Sequence, residues 1–347
     1  MKASALKKLT EKFIFNHPPP FAVVQIEWIP LKKPLTINHY VKWLEEKKHV
    51  DMDYLEKHLE LKKDPKKISP HLQSCLVMSF KYVPVKQKIF SFLKIAKYAQ
   101  HEDYHHGLKD YLDKIAAYLK THFAAAEFIS FVDSGPILER DLAYQAGLGW
   151  VGKNTLLIHP KHGSYTFLCS LFSSLEIIEQ SEEAPKAVAD FCGKCNRCIE
   201  SCPTQALEVR SLDANKCISY WTIESRSEAP ADLRAQFSQW FFGCDICQDV
   251  CPWNQKTLKA ALLPEQNPTK DQIARDITEI LSASNSQLQK KIRGTPLQRA
   301  GTFGLRRNAL YIVEQMKLTE VALLIKNWAQ RTDSKLSSLA KEILKKF

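Results

Sequence analysis

The chain has 347 residues, 45% hydrophobic and 25% charged, which fits a globular protein of two or three domains and excludes a largely disordered chain. Its net charge of +11 is uneven: residues 290–347 carry 13 Lys/Arg against four Asp/Glu, and the first hundred carry 19 against nine, leaving an acidic middle. Basic ends suit a polyanionic partner such as nucleic acid, although charge alone would serve solubility equally well.

The lysine-rich stretch Met1–Asn16 has no signal-peptide core and no twin-arginine pair, and no run of 18 apolar residues occurs. The expectation is a cytoplasmic protein without a transmembrane helix, whose thiols stay reduced. Phe21–Ile26 and Cys75–Phe80 predict short buried strands, and Thr36–His49 predicts a helix. Leu108, Tyr111, Leu112, Ile115, Ala116 and Leu119 share one face of an amphipathic helix. Glu127–Asp133 predicts a strand, Glu139–Leu148 a helix, and Asn154–His159 and Tyr165–Leu175 two more strands. This alternation predicts an α/β or α+β domain over residues 1–180. The polar stretch Glu179–Ala187 marks a boundary, and a cysteine-rich domain follows over 181–260. Residues 261–347 read as helical. Val321, Leu324, Ile325 and Trp328 form one apolar stripe. Leu336, Leu339, Ala340, Ile343, Leu344 and Phe347 form another, across the polar link Gln330–Lys335. The pair resembles one unit of a HEAT-type array. No heptad run or long apolar edge stands out, so a monomer is expected.

Cys192, Cys195, Cys198 and Cys202, followed by Pro203, have the C-x2-C-x2-C-x3-C-P spacing of bacterial ferredoxins. Three cysteines on a tight loop can hold three corners of a cubane, and the fourth is carried to a second cluster. Cys244, Cys247 and Cys251 with Pro252 form another run, one cysteine short, and Cys217 supplies the eighth thiolate. The expected sets are Cys192, Cys195, Cys198 and Cys251 for one [4Fe–4S] cluster, and Cys202, Cys217, Cys244 and Cys247 for the other. Two four-cysteine zinc sites are the alternative, but zinc favours separated C-x2–4-C knuckles. Cys75 and Cys169 lie in apolar runs and read as small buried hydrophobes.

Five of the 11 glycines fall between Gly135 and Gly163, within Val132–Ile158 and just beyond it. Asp133 ends an apolar strand ahead of Ser134–Gly135–Pro136. A carboxylate there can serve as a general acid or can cap the turn, and spacing alone favours the cap. Arg140, Lys153 and Asn154 suit a polar cofactor edge or phosphate, but each alone reads as readily as structural. Trp150, Tyr220 and Trp221 could stack on a ligand, although aromatics here are more often core. Asp103–Gly107 (DYHHG) does not complete D-x-H-x-x-G, the cobalt-ligating pattern, because Leu108 stands where its glycine belongs.

These stretches together resemble the epoxyqueuosine reductases. The resemblance rests on Met52–Leu55 with Asp64–Pro65, Asp103–His105, Val132–Ile158, CPTQAL (Cys202–Leu207), CISYWTIE (Cys217–Glu224), GCDICQDVCPWN (Gly243–Asn254) and GLRRNAL (Gly304–Leu310). They span residues 40–315. His49–Val50–Asp51 and Gln100–His101–Glu102 depart from stretches that are usually richer in glycine. The resemblance implies an α+β protein: a cobalamin-binding N-terminal domain, a ferredoxin-like two-cluster domain and a HEAT-like helical tRNA-binding domain. It implies cobalamin without a protein histidine on cobalt, reduced through the two clusters. The reaction it implies converts the epoxide of epoxyqueuosine in a tRNA anticodon loop to an alkene and water, with an external electron donor. It reverses the reading of Asp133, which becomes the acid, and it implies cofactor contacts from Tyr104, His105, Arg140, Lys153, Asn154, Thr155 and Ser219. Arg299, Arg306, Arg307, Lys341, Lys345 and Lys346 become candidate tRNA phosphate contacts. A cobalamin-dependent reductive dehalogenase and a non-catalytic iron–sulfur carrier are the alternatives.

Overall fold

Residues 74–80 (SCLVMSF) are all buried, which a strand achieves only when both of its faces are covered. The computed structural model describes residues 1–82, 89–178, 186–260, 267–332 and 335–347. In it this stretch is central to a four-stranded sheet of β1 (Ala22–Pro30), β2 (Ser74–Lys81), β3 (Phe128–Phe131) and β4 (Thr166–Ser173), in the order β1-β2-β4-β3. Every ladder in it is antiparallel, so α+β describes the first domain and the α/β description of it is corrected. Antiparallel neighbours need no crossover helix, and the helices fall where they cover the two faces.

One face carries Leu76, Met78 and Phe80 of β2 and Phe167, Cys169 and Leu171 of β4. It packs on the helices Ala3–Asn16 and Tyr104–His122, the latter through the predicted stripe Leu108–Leu119. Asp103 caps that helix by accepting the His105 N–H at 3.0 Å. The opposite face carries Cys75, Val77 and Phe172 against Leu142, Ala143, Ala146 and Leu148. Cys75 and Cys169 are fully buried on opposite faces.

The predicted helix Thr36–His49 is shorter, Ile37–Glu45, because the chain then turns through Lys47 and Val50, both in the left-handed region. Of Asn154–His159 only Leu157–Ile158 is strand, paired with Trp150–Val151 across a turn closed by the Thr155 N–H to Gly152 carbonyl bond at 3.0 Å.

The C-terminal helices Lys270–Ser282 and Asn285–Ile292 each begin with a complete capping box, Thr269 with Gln272 and Ser284 with Gln287. They surround Gly301–Met316, and Ala322–Ala329 and Ser337–Leu344 pack on each other as a pair. Of the link between that pair, residues 333–334 lie outside the described residues, as do residues 179–185 of the boundary stretch.

One segment crosses the expected domain limits. Phe90, Leu93, Ile95, Ala96 and Ala99, from the first domain, are buried in the core of the C-terminal helices. Lys94–Ile95 pairs in parallel with Trp240–Phe242, the Ala96 N–H donates to the Phe242 carbonyl at 2.8 Å, and the Phe92 N–H donates to Asp276 Oδ2 at 2.7 Å. Among the described residues no helix is long and apolar enough to cross a membrane.

Candidate functional site

The cysteine-rich segment folds as short turns that keep its sulfurs inward. The Cys195 N–H to Cys192 carbonyl bond (2.9 Å) tightens the first loop, and four-residue helices, Arg197–Glu200 and Ile246–Asp249, separate the later cysteines of each run. All ten cysteines are free thiols. Burial first, and also neighbouring thiols, push up Cys198, Cys217, Cys244, Cys247 and Cys251. Cys192, Cys198 and Cys195 act on Cys251, and Cys202 acts on Cys217. Cys217 and Cys202 act on Cys244, while Cys244 and Cys217 act on Cys247. Two groups of four result, and Cys247 also feels Cys198, where the groups adjoin.

Buried sulfurs with elevated pKa values become thiolates only against positive charge, which metal supplies. Backbone N–H groups are already aimed at them: Ile199 at Cys198, Tyr220 and Ser219 at Cys217, Ile246 at Cys244 and Trp253 at Cys251. The Ala206 N–H reaches Cys202 Sγ at 3.3 Å and the Trp150 indole N–H reaches Cys192 Sγ at 3.4 Å. Such donors stabilise a thiolate-bound cluster. Among the described residues no three His, Cys, Asp or Glu side chains gather around a single-ion position. A cubane asks for no such point, since each thiolate meets a different iron. These residues fit iron–sulfur clusters.

The second locus is centred on Asp133, in the left-handed region at φ +56° and directly after β3. Its side chain is 61% exposed, and neighbouring protein nonetheless makes desolvation the largest influence on its carboxyl. Oδ2 accepts the Tyr104 hydroxyl at 2.7 Å and lies 3.3 Å from His105 Nε2, and His105 Nδ1 lies 2.6 Å from Asp103 Oδ1. Burial raises the Asp133 carboxyl, but hydrogen bonds from His105 and Tyr104 and the charges of His105 and Arg140 outweigh it and hold it low. Burial works against a charged His105, and the two aspartates overcome it and raise its pKa. Glu139 accepts the Asp133 N–H at 2.7 Å, and desolvation and the Asp133 charge push its carboxyl up to about 8. At neutral pH the site therefore holds an ionised Asp133 beside a protonated Glu139 and a proton-rich His105.

Arg140 is exposed to the same space and donates to the Thr155 carbonyl at 2.6 Å. Thr155, β-branched at φ +69°, is strained, as residues lining functional sites often are. Tyr54 and Tyr98 both feel the charge of Asp133, and Tyr98 also feels Asp245, next to Cys244. The Tyr98 ring packs against Tyr104 at 6.3 Å on one side and Phe242 at 6.4 Å on the other, two residues before Cys244.

Other sequence-predicted contacts are engaged elsewhere. Lys153 donates to the Gly193 carbonyl (2.9 Å) and Asn196 Oδ1 (2.8 Å) of the first cysteine loop. Asn154 is buried, with its carboxamide 3.4 Å from the Cys247 carbonyl. Ser219 presents its N–H to Cys217. Trp150 is buried edge-on against Trp253 and Phe191, at ring distances of 5.0 and 5.3 Å, so it offers no face to a ligand. Tyr220 is buried with its hydroxyl on Asp51 (2.5 Å), and Trp221 donates to the Asn215 carbonyl (2.7 Å).

Two expected phosphate contacts are corrected. Arg307 is fully buried, and Arg306 is nearly so, donating to Asn285 and to the Ala283 carbonyl. Neither guanidinium reaches a phosphate. Arg299 is half-exposed and bidentate to Glu224 at 2.9 and 2.7 Å, while Lys346 pairs with Glu314 and Glu342. Lys341 and Lys345 are exposed. Sequence reasoning missed Glu139 and Tyr98. Glu139 had a signal, as one of two further carboxylates, with Asp141, in the glycine-rich segment, whereas Tyr98 had none.

Comparison with known proteins follows the same division. The family model described as "4Fe-4S double cluster binding domain" matches residues 191–254, and the one described as "Epoxyqueuosine reductase QueG, DUF1730" matches residues 62–134. The epoxyqueuosine reductase of Cellulophaga algicola is 35% identical over 268 residues, covering 77% of this chain and 86% of its own length. That of Leadbetterella byssophila is 36% identical, covering 79% of this chain and 88% of its own. A crystal structure of epoxyqueuosine reductase with an epoxyqueuosine-modified tRNA-Tyr stem loop shares the fold, with a TM-score of 0.83, 22% identity and coverage of 98% of this chain and 90% of that one.

Proposed function

The chain belongs to the epoxyqueuosine reductase family, and from that premise we propose how its own residues carry out the reaction. It is an oxidoreductase with a double-cluster domain that acts on epoxyqueuosine in tRNA. The carrying observation is an exposed Asp133 hydrogen-bonded by Tyr104 and His105, with Tyr98 packed between Tyr104 and Phe242 on the way to Cys244. Cys192, Cys195, Cys198 and Cys251 hold one [4Fe–4S] cluster, and Cys202, Cys217, Cys244 and Cys247 the other.

The exposed ground around Asp133, with Tyr54, Tyr98, Tyr104 and Arg140 as its neighbours, would suit a large planar ligand with polar edges, and cobalamin is our reading of it. When bound, the cobalt supplies the two electrons that open the epoxide. Arg140 and Thr155 would hold the ligand's polar edge, and His105, paired with two aspartates, would not be free to ligate the metal. The protein supplies the protons. Breaking the epoxide C–O bond builds charge on oxygen, and Asp133 Oδ2 delivers a proton there. Asp133, held ionised by His105 and Arg140, would shift toward the protonated form if a bound corrin excluded water from its exposed side. His105, on the same oxygen, refills it. Two electrons and two protons give an alkene and water.

The C-terminal helices form a HEAT-like platform whose exposed Lys341 and Lys345, with Arg299 on the side of the site, meet tRNA phosphates. The target base leaves its loop to enter the site, as bases reached by enzymes do. The protein is a cytoplasmic monomer reduced by an external electron donor. The test is anaerobic single-turnover conversion of tRNA carrying epoxyqueuosine, with the protein reconstituted with iron, sulfide and cobalamin. Loss of the epoxide supports the reading, and retention of the corrin without conversion overturns it.

A further inference from the structure

Arg307 and Asn308 sit at the centre of the GLRRNAL stretch, and both are fully buried. Arg307 Nη1 donates to the Ser225 and Ser227 carbonyls, each at 2.7 Å, and Nη2 donates to the Trp221 carbonyl. The Asn308 carboxamide divides its two N–H groups between the Thr222 carbonyl (2.7 Å) and the Phe241 carbonyl (2.9 Å). Its oxygen accepts from Arg307 at 3.2 and 3.0 Å, which fixes the amide's orientation.

These acceptors lie on two stretches of chain that are distant in sequence. One runs from Cys217 through the π-helical turn Tyr220–Glu224 to Ser227, and the Trp221 N–H returns to the Cys217 carbonyl at 3.2 Å. The other is Trp240–Phe242, which leads through Gly243 into Cys244. The two are joined directly where the Gly243 N–H donates to Thr222 Oγ1 at 3.0 Å, inside the core. Gly243 has φ +68°, and a Cβ there would stand 2.6 Å from Ala96 Cβ, so the approach of this stretch to its neighbours leaves no slack.

We propose that Arg307 and Asn308 are positioning residues that clamp the Cys217 and Cys244 stretches together and thereby set the geometry of the second cluster's cage. The proposal rests on the reading that Cys202, Cys217, Cys244 and Cys247 hold one cluster. Cys217 and Cys244 come from separate stretches, and beyond the single Gly243–Thr222 bond their register rests on a group that reaches both. Asn308 does this with one side chain. Arg307 supports the clamp from one side: its hydrogen bonds go to carbonyls of the Cys217 stretch and to Asn308 Oδ1, and Glu228 supplies the nearby negative charge that a buried cation calls for. A π-helical turn, rare and prone to relax to α, is a segment that would need such a clamp.

The experiment uses full-length protein reconstituted anaerobically with iron and sulfide. It compares wild type, Asn308→Ala, the near-isosteric Thr222→Val, Cys217→Ala and Cys192→Ala by iron content, by electron paramagnetic resonance of the reduced state and by the rate of iron loss to a chelator. We expect Asn308→Ala to hold about four irons where wild type holds about eight, with the residual spectrum of Cys217→Ala and not that of Cys192→Ala. Thr222→Val, which keeps the volume but removes the acceptor of the Gly243 N–H together with the hydroxyl's own bonds to the Ile218 and Ser219 carbonyls, should release iron from the second cluster several-fold faster and leave the first cluster unchanged. The first cluster is the internal control for folding. Wild-type iron content and release rates in both variants would overturn the clamp, and so would parallel loss of both clusters. If Cys217→Ala keeps its full iron, the ligand reading fails and the clamp fails with it.

Discussion

The Asp133 backbone N–H donates to Glu139 Oε1 at 2.7 Å, and this bond anchors a residue held at φ +56°. A left-handed conformation costs a non-glycine residue about 1–2 kcal/mol, so the loop relaxes unless something holds it. Glu139→Ala is therefore expected to lower turnover by about tenfold or more, because general acid catalysis contributes about 10²–10⁴ and depends on placement. Glu139→Gln keeps an acceptor oxygen and should recover most of that loss. Equal activity in the two variants would show that the bond does not position Asp133.

The same residue gives a pH signature. Desolvation and the Asp133 charge raise the Glu139 carboxyl from its ordinary 4.5 to about 8. The folded state then binds more protons than the unfolded state between those values, so this contribution to stability is full below 4.5 and lost as pH rises through about 8. His105, also raised, loses its contribution in the same direction. Turnover should fall on the alkaline side near 8, and the limb should flatten in Glu139→Gln. A pH–rate profile of the two proteins measures it.

Asp133→Asn keeps the shape of the site and removes the acid. Retention of the corrin, read by absorbance, should match wild type, while conversion of the epoxide should fall by about 10²–10⁴. Conversion at the wild-type rate would remove Asp133 from the reaction.

Exposed Lys341 and Lys345 give a salt test. Replacing both with alanine should weaken tRNA binding and reduce the slope of log K against log salt by about 1.4–1.8, the loss of two phosphate contacts. Arg306→Ala should instead lower thermal stability with an unchanged salt slope, because that guanidinium serves Asn285 and the Ala283 carbonyl.

Val50 is β-branched at φ +58°. Val50→Gly should relieve about 1 kcal/mol net of the greater entropy of glycine, and raise Tm by roughly 1–3 °C. An unchanged or lower Tm would mean that the packing of Val50 outweighs its strain.

The strands around Cys75 and Phe167 and the helix through Leu108–Leu119 were legible because burial on one or both faces writes a period into the sequence. The cysteines were legible because ligand spacing is local. Arg306 and Arg307 were misread for the opposite reason: paired arginines on a helix look like a surface. What buries Arg307 is a row of carbonyls some 80 positions earlier, which no local pattern records. Lys153 and Asn154 were seen as site residues, but their partners, Gly193, Asn196 and Cys247, are equally remote.

Phe90, Leu93, Ile95, Ala96 and Ala99 find their core among residues 218–242 and helices near the end of the chain. During translation this apolar stretch leaves the ribosome well before residues 273–313 exist to cover it. At 5–20 residues per second the wait is roughly 10–40 s. The nascent protein thus has a window in which holdase chaperones have a defined sequence to grip, and insertion of the metal clusters is best timed after that window closes.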